Sequence, residues 1–220
     1  MLFSFDTTGS MYPCLTQVRR DVSNMVKRLF AEISGIRIGI IAHGDYCDAG
    51  STYVTKMLEL STNQEKIVDF VKKVSATGGG DAAECYELVL HEARSAGWAE
   101  GTRKILVLIG DEVPHKASEK QNEKKLDWQE ECKKLAADGI AVYSVQALGR
   151  KHATSFYAGA ARLTDGLHLQ LDQFSHIGDM ITAICYRQVG VARVEEFERE
   201  VTARGGMNRS LDRMFVALTG

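Results

Sequence analysis

Proline is nearly missing from this chain, with 2 residues in 220 against 20 glycines. Stiff, proline-rich linkers are therefore excluded, and turns must rest on flexible backbone. A surplus of one charge is missing too: 27 Lys and Arg face 29 Asp and Glu, a formal net charge of -2. The basic field that a non-specific nucleic-acid binder uses to neutralise phosphates is not there. No apolar run approaches the ~20 residues of a bilayer-spanning helix. The opening Met1-Leu2-Phe3-Ser4-Phe5-Asp6 has neither the basic start nor the small-residue cleavage site of a secretory leader. Finally, Cys14, Cys47, Cys85, Cys132 and Cys185 are odd in number, widely spaced, and form no Cys-x-x-Cys pair for zinc or disulfide exchange. Buried, reduced thiols in a cytoplasmic protein are the expectation.

What is present is the composition of a globular chain, 45% hydrophobic and 25% charged, long enough for one ordinary domain and a small appendage. A short apolar run, Leu2 to Phe5, precedes Leu15, Val18, Val22, Met25, Val26, Leu29, Phe30 and Ile33 at amphipathic-helix spacing. Ile36 to Ala42 predicts a second strand, and the more alternating Thr52 to Leu60 a half-exposed edge strand. Ile67, Phe70, Val71 and Val74 mark a second helix, and a third is expected from about Asp81 to Ala96. Further strands are predicted at Lys104 to Ile109, Ile140 to Ala147 and Leu167 to Leu171. Helices fall between them, one stopping at Gly139, and Phe174 to Tyr186 closes the series.

This alternation implies an α/β fold: a Rossmann-like, doubly wound, mostly parallel sheet with one antiparallel edge strand and helices on both faces. Residues 1–188 would form this domain and 189–220 a two-helix extension broken at Gly205-Gly206. The extension's apolar stripes, Val194, Phe197 and Val201, then Leu211, Met214, Phe215 and Leu218, must be buried on the domain or on another chain. That choice leaves the oligomeric state open.

In such a sheet ligands collect at the carboxyl ends of the strands. After the first strand comes Asp6-Thr7-Thr8-Gly9-Ser10-Met11, and after Ile109 comes Gly110-Asp111-Glu112. Thr77 and the triplet Gly78 to Gly80 form a third loop at the same rim. A donor set of carboxylates and hydroxyls, without sulfur or imidazole, suits Mg2+ or Mn2+ and does not suit zinc.

Asp6-Thr7-Thr8-Gly9-Ser10, Thr77-Gly78-Gly79-Gly80-Asp81 and Gly110-Asp111, in this order and context, resemble the von Willebrand factor type A domain with its metal ion-dependent adhesion site. The flavour resembles intracellular, stand-alone or kinase-associated members, and the likeness covers about residues 1–188. It implies that Thr8, Ser10 and Thr77 bind the metal, with Asp6 and Asp111 acting directly or through water. Thr8 stands where serine is commoner. The implied activity is protein binding, with a partner's Glu or Asp completing the metal shell. No membrane or nucleic-acid partner is implied, and a cooperating ATPase or kinase would be a separate polypeptide.

Competing readings concern the same residues. The first turn also resembles the nucleophile turn of haloacid dehalogenase-like phosphotransferases, with Asp6 as nucleophile. Against it, Thr7 replaces the lysine of the aspartyl-phosphate pumps, and Val113-Pro114-His115-Lys116 stand where a further acid is expected. Asp81 to Glu84 fits a helix capping box, Glu112 fits a rim residue shaping partner choice, and His43 to Asp48 reads as a solvated loop.

Overall fold

The computed structural model describes residues 1–80 and 82–220. Six strands form one sheet: β1 (Leu2–Asp6), β2 (Ile38–His43), β3 (Thr55–Ser61), β5 (Lys104–Gly110), β7 (Ile140–Ala147) and β8 (His168–Leu171). Their spatial order is β3-β2-β1-β5-β7-β8. Only the β2–β3 pairing is antiparallel, so the expected edge strand is present. The chain winds outward from β1 to β2 and β3, then returns to the other side through β5, β7 and β8. The switch point lies between β1 and β5, where crevices form in doubly wound sheets.

Alternate residues of the buried strands feed two cores, as the pleat requires. Phe3, Phe5, Ile38, Ile40, Val107, Ile109 and Val145 point to a core closed by α1 (Tyr12–Glu32), α2 (Gln64–Lys73) and α6 (Ile177–Arg187). Leu2, Ile41, Leu106, Leu108 and Val142 point to the other, closed by α3 (Tyr86–Ala93), α4 (Trp128–Ala137) and α5 (Thr154–Leu163). Pro13 sits in the first turn of α1, where its missing N–H costs nothing. Gly139 ends α4 with a left-handed φ of 69°.

The last two helices, α7 (Val191–Ala203) and α8 (Arg209–Thr219), lie on the domain itself. Val194, Phe197, Val201, Leu211, Met214, Phe215 and Leu218 are all buried in the first core. The Arg28 fork on α1 grips both oxygens of Glu200, at 2.7 and 2.5 Å, and its Nε donates to the Tyr186 hydroxyl at 2.7 Å.

Three expectations need correction. The third helix begins at Tyr86 and ends at Ala93. Ahead of it Ala83–Glu84 (β4) pairs in parallel with Val113–Pro114 (β6), because the loop after β5 offers backbone partners that a helix start would lack. Glu84 is therefore buried in a short strand instead of standing in the first turn of a helix; the capping role of Asp81 lies outside the described residues. The loop after β2 is not solvated: His43, Asp45 and Asp48 are buried. Of the five free cysteines only Cys47 is exposed, the other four being buried as expected. No helix among the described residues is long and apolar enough to cross a membrane.

Candidate metal centre

The loop after β1 is held by its neighbours on both sides. Thr7 donates its N–H and its hydroxyl to the His43 carbonyl, each at 2.8 Å, and its own carbonyl accepts the Thr77 N–H at 2.9 Å. Asp6, at the last position of β1, accepts the Thr8 N–H at 2.8 Å and the Thr8 hydroxyl at 2.6 Å on Oδ1. Ser10 reaches across to the loop after β5 and donates to Asp111 Oδ1 at 3.0 Å. Four of the five sequence-predicted residues thus form two bonded pairs, Asp6 with Thr8 and Ser10 with Asp111. Thr77 joins through Thr7, their hydroxyl oxygens 3.1 Å apart.

A layer of residues that the sequence left unassigned fixes these loops. The Tyr86 hydroxyl, fully buried, donates to Asp6 Oδ2 at 2.7 Å and accepts from the Asp111 and Glu112 N–H groups at 3.2 and 3.4 Å. One side chain therefore ties the first loop to the third. Gly110 is glycine for this reason, since a Cβ there would lie 2.0 Å from that hydroxyl oxygen. Asp48 anchors the glycine triplet, accepting from Gly78 N at 2.9 Å, Gly79 N at 3.2 Å and Asp45 N at 3.0 Å. Gly44 leaves room for Thr77, whose Oγ1 would lie 2.5 Å from a Cβ. Behind Asp45, buried His115 bridges to Glu119, with both ring contacts at 2.7 Å. Burial disfavours its charge, yet the bonds to Asp45 and Glu119 raise its pKa to about 9.

The electrostatics of the rim are those of acids drawn out of water. Burial pushes the Asp6 carboxyl upward against the bonds from Thr8 and Tyr86. Asp111 is raised by burial and by the Asp6 charge, with Arg150 and Ser10 opposing. Glu84 is raised to about 10 by burial, then by Asp6 and Asp45. Its Oε2 is buried without a hydrogen-bond partner among the described residues. Its Oε1 would lie 3.2 Å from a Cβ on Gly79, so it stands against the glycine loop.

The donor chemistry fits a hard cation. Thr8 and Ser10 direct their protons at carboxylates and keep oxygen lone pairs available. Among the described residues no group of three or more His, Cys, Asp or Glu is arranged to hold a metal. A cation would therefore depend on hydroxyl oxygens and on water oriented by Asp6 and Asp111. Glu112, expected as a rim residue that shapes partner choice, is largely buried and meets Arg150 Nε at 3.2 Å and His152 Nε2 at 2.6 Å.

A doubly wound sheet with an all-oxygen cluster at its switch point defines the class of this α/β domain. Residues 1–177 match the von Willebrand factor type A domain, and the chain belongs to that family. An ariadne-like RING finger protein of Acanthamoeba polyphaga mimivirus is 28% identical over 187 residues, covering 76% of this chain and 18% of that protein. The alpha-protein kinase vwkA of Dictyostelium discoideum is 27% identical over 117 residues, covering 52% of this chain and again 18% of the relative. The chain thus spans under a fifth of the length of either. In architecture it is similar to the BatB protein of Bacteroides thetaiotaomicron, with a TM-score of 0.58 at 15% identity over 86% of this chain and 97% of the other.

Proposed function

We propose that this von Willebrand factor type A domain is a Mg2+-dependent protein-binding module of the cytoplasm that catalyses no reaction itself. The observation that carries the reading is the cluster at the switch point, where the hydroxyls of Thr8 and Ser10 meet two buried carboxylates, Asp6 and Asp111, whose pKa values burial raises, and Thr77 adjoins through the Thr7 hydroxyl. Mg2+, with Mn2+ as a substitute, would be held by the three hydroxyl oxygens and by waters bonded to Asp6 and Asp111. When bound it would supply positive charge and an open position for a partner's Glu or Asp. Hydroxyl ligands leave that charge largely unneutralised, which favours an anionic partner.

The phosphotransferase alternative loses support at Asp6. Both carboxylate oxygens are occupied, Oδ1 by Thr8 and Oδ2 by Tyr86, so the attacking oxygen would have to break a buried hydrogen bond. The RING finger and kinase relatives support a recognition role beside a catalytic unit such as a kinase or ATPase. Calorimetry tests the site: Asp6→Ala and Ser10→Ala should each abolish Mg2+ uptake with the fold retained by circular dichroism. Unchanged Mg2+ affinity in both variants would refute it.

A further inference from the structure

Resting on that reading, we propose that the partner presents two carboxylates with an apolar side chain beside them, one acid on the cation and the second on the guanidinium fork of Arg150. Arg150 stands on the loop after β7, and its Nε donates to Asp111 Oδ2 at 2.7 Å. This anchors the side chain at the candidate centre. Neither terminal nitrogen forms a hydrogen bond among the described residues, and the side chain is 39% exposed. A planar fork with two such donors suits a carboxylate in bidentate geometry.

The loop is built to hold this arginine. Buried Gln146 donates to the Arg150 carbonyl at 2.7 Å and to the Thr154 hydroxyl at 3.1 Å, so the backbone is clamped from below. Its tip carries a conformational cost: Leu148 has a left-handed φ of 56° and is 43% exposed. A branched, apolar residue strained in this way and offered to solvent contributes nothing to the core. Such strain persists where function retains it. On the other side of the centre, two residues beyond Ser10, Tyr12 is 50% exposed.

Sheet order places these features together. The loops after β1, β5 and β7 lie side by side, and neighbouring strands are about 4.8 Å apart, so the segments that carry Tyr12 and Leu148 follow the two strands on either side of β5, which carries the Asp111 loop. The buried layer is acidic, Asp6, Asp111 and Glu112. The layer above it is apolar and basic, with Arg150 followed by exposed Lys151 and His152. Charge complementarity therefore selects an acidic segment over a basic one. Two acids at alternate positions of an extended peptide stand about 7 Å apart, a spacing that lets one reach the centre and the other the fork.

The test uses the whole chain loaded with Mg2+ and three acetylated, amidated peptides, Leu-Glu-Gly-Glu, Leu-Glu-Gly-Gln and Gly-Glu-Gly-Glu, titrated by amide NMR shifts. Leu-Glu-Gly-Glu should bind about tenfold tighter than Leu-Glu-Gly-Gln, as one charge-assisted bidentate contact allows. That ratio should fall to about one in Arg150→Gln and to an intermediate value in Arg150→Lys, which keeps the charge and loses the fork. The advantage of Leu-Glu-Gly-Glu over Gly-Glu-Gly-Glu should shrink in Leu148→Gly, a variant that relieves the left-handed strain. Equal binding of the first two peptides to the unmodified chain, or a ratio that survives Arg150→Gln, overturns the proposal while calorimetric Mg2+ uptake stands. Absence of Mg2+ uptake, or binding that persists in EDTA, overturns the metal reading and this one with it.

Discussion

Tyr86→Phe removes one oxygen atom and should disturb two of the metal loops at once. The hydroxyl donates to Asp6 Oδ2 at 2.7 Å and accepts from two backbone N–H groups at 3.2 and 3.4 Å. A hydrogen bond to a charged group contributes about 1.5–3 kcal/mol, and each buried donor left unpaired costs about 1–3 kcal/mol. The two amide contacts are long and share one acceptor, so their lower limits apply. The expected loss is about 3.5–5 kcal/mol, a large fraction of the 5–15 kcal/mol typical of a domain and about two fifths of it at mid-range. Urea unfolding followed by circular dichroism in EDTA measures this term alone. Repeating it with Mg2+ measures the site: at a hundred times Kd, binding adds about 2.7 kcal/mol, and a hundredfold loss of affinity would cut that increment to about 0.4 kcal/mol. A loss below about 1 kcal/mol in EDTA, with the Mg2+ increment unchanged, would show that Tyr86 only fills the core.

Two further outcomes follow from the same layer. Glu84→Gln should stabilise the metal-free chain at pH 7 by about 2–3 kcal/mol, since a carboxyl raised from 4.5 to about 10 must take up a proton on folding at that pH. The folded chain binds the extra proton, so stability of the parent falls as pH rises from 4.5 toward 10, and the gain should vanish below pH 4.5 in parallel urea titrations. Gly110→Ala should destabilise by about 3 kcal/mol through the 2.0 Å clash with the Tyr86 hydroxyl. Part of that loss should return in the double variant with Tyr86→Phe, which thermal unfolding of the four chains would establish.

The architecture was legible because buried strands and amphipathic helices carry their period locally. Lys104 to Gly110 is apolar at nearly every position, and only a strand covered on both faces reads that way. Asp6 and Asp111 were legible as acids at the ends of apolar strands, Thr8 and Ser10 as hydroxyls on the turn that follows the first, and Thr77 only as a loop residue beside a glycine triplet. Their supports were not. Tyr86 looks like one more apolar position on a helix, and its partner Asp6 lies 80 residues away. Glu84 imitates a capping residue in sequence, since the β4–β6 pairing that swallows it depends on a loop near position 113. Asp45 and Asp48 sit among polar neighbours, and nothing local distinguishes a buried network from a wet loop. The Gly44 and Gly80 that crowd against Thr77 and Cys47 were the available signal. Arg150 carries no motif and gains its meaning only from the Asp111 carboxylate beside it.

The covering of β8 by the final helix bears on how this sheet can be approached. Ser210 on α8 donates to the Gln170 carbonyl at 3.2 Å, and Arg213 pairs with Asp172 at 2.6 Å just beyond the strand. One border of the sheet is thereby closed to strand addition, the commonest way an incoming peptide borrows backbone hydrogen bonds. The opposite border, β3, carries Lys56 and Glu59 at its exposed positions, charges that discourage docking of another strand. Recognition through borrowed backbone is thus obstructed along both flanks of the six-stranded sheet, which shifts the holding of a partner to side-chain chemistry of the kind found at the loop-bearing end.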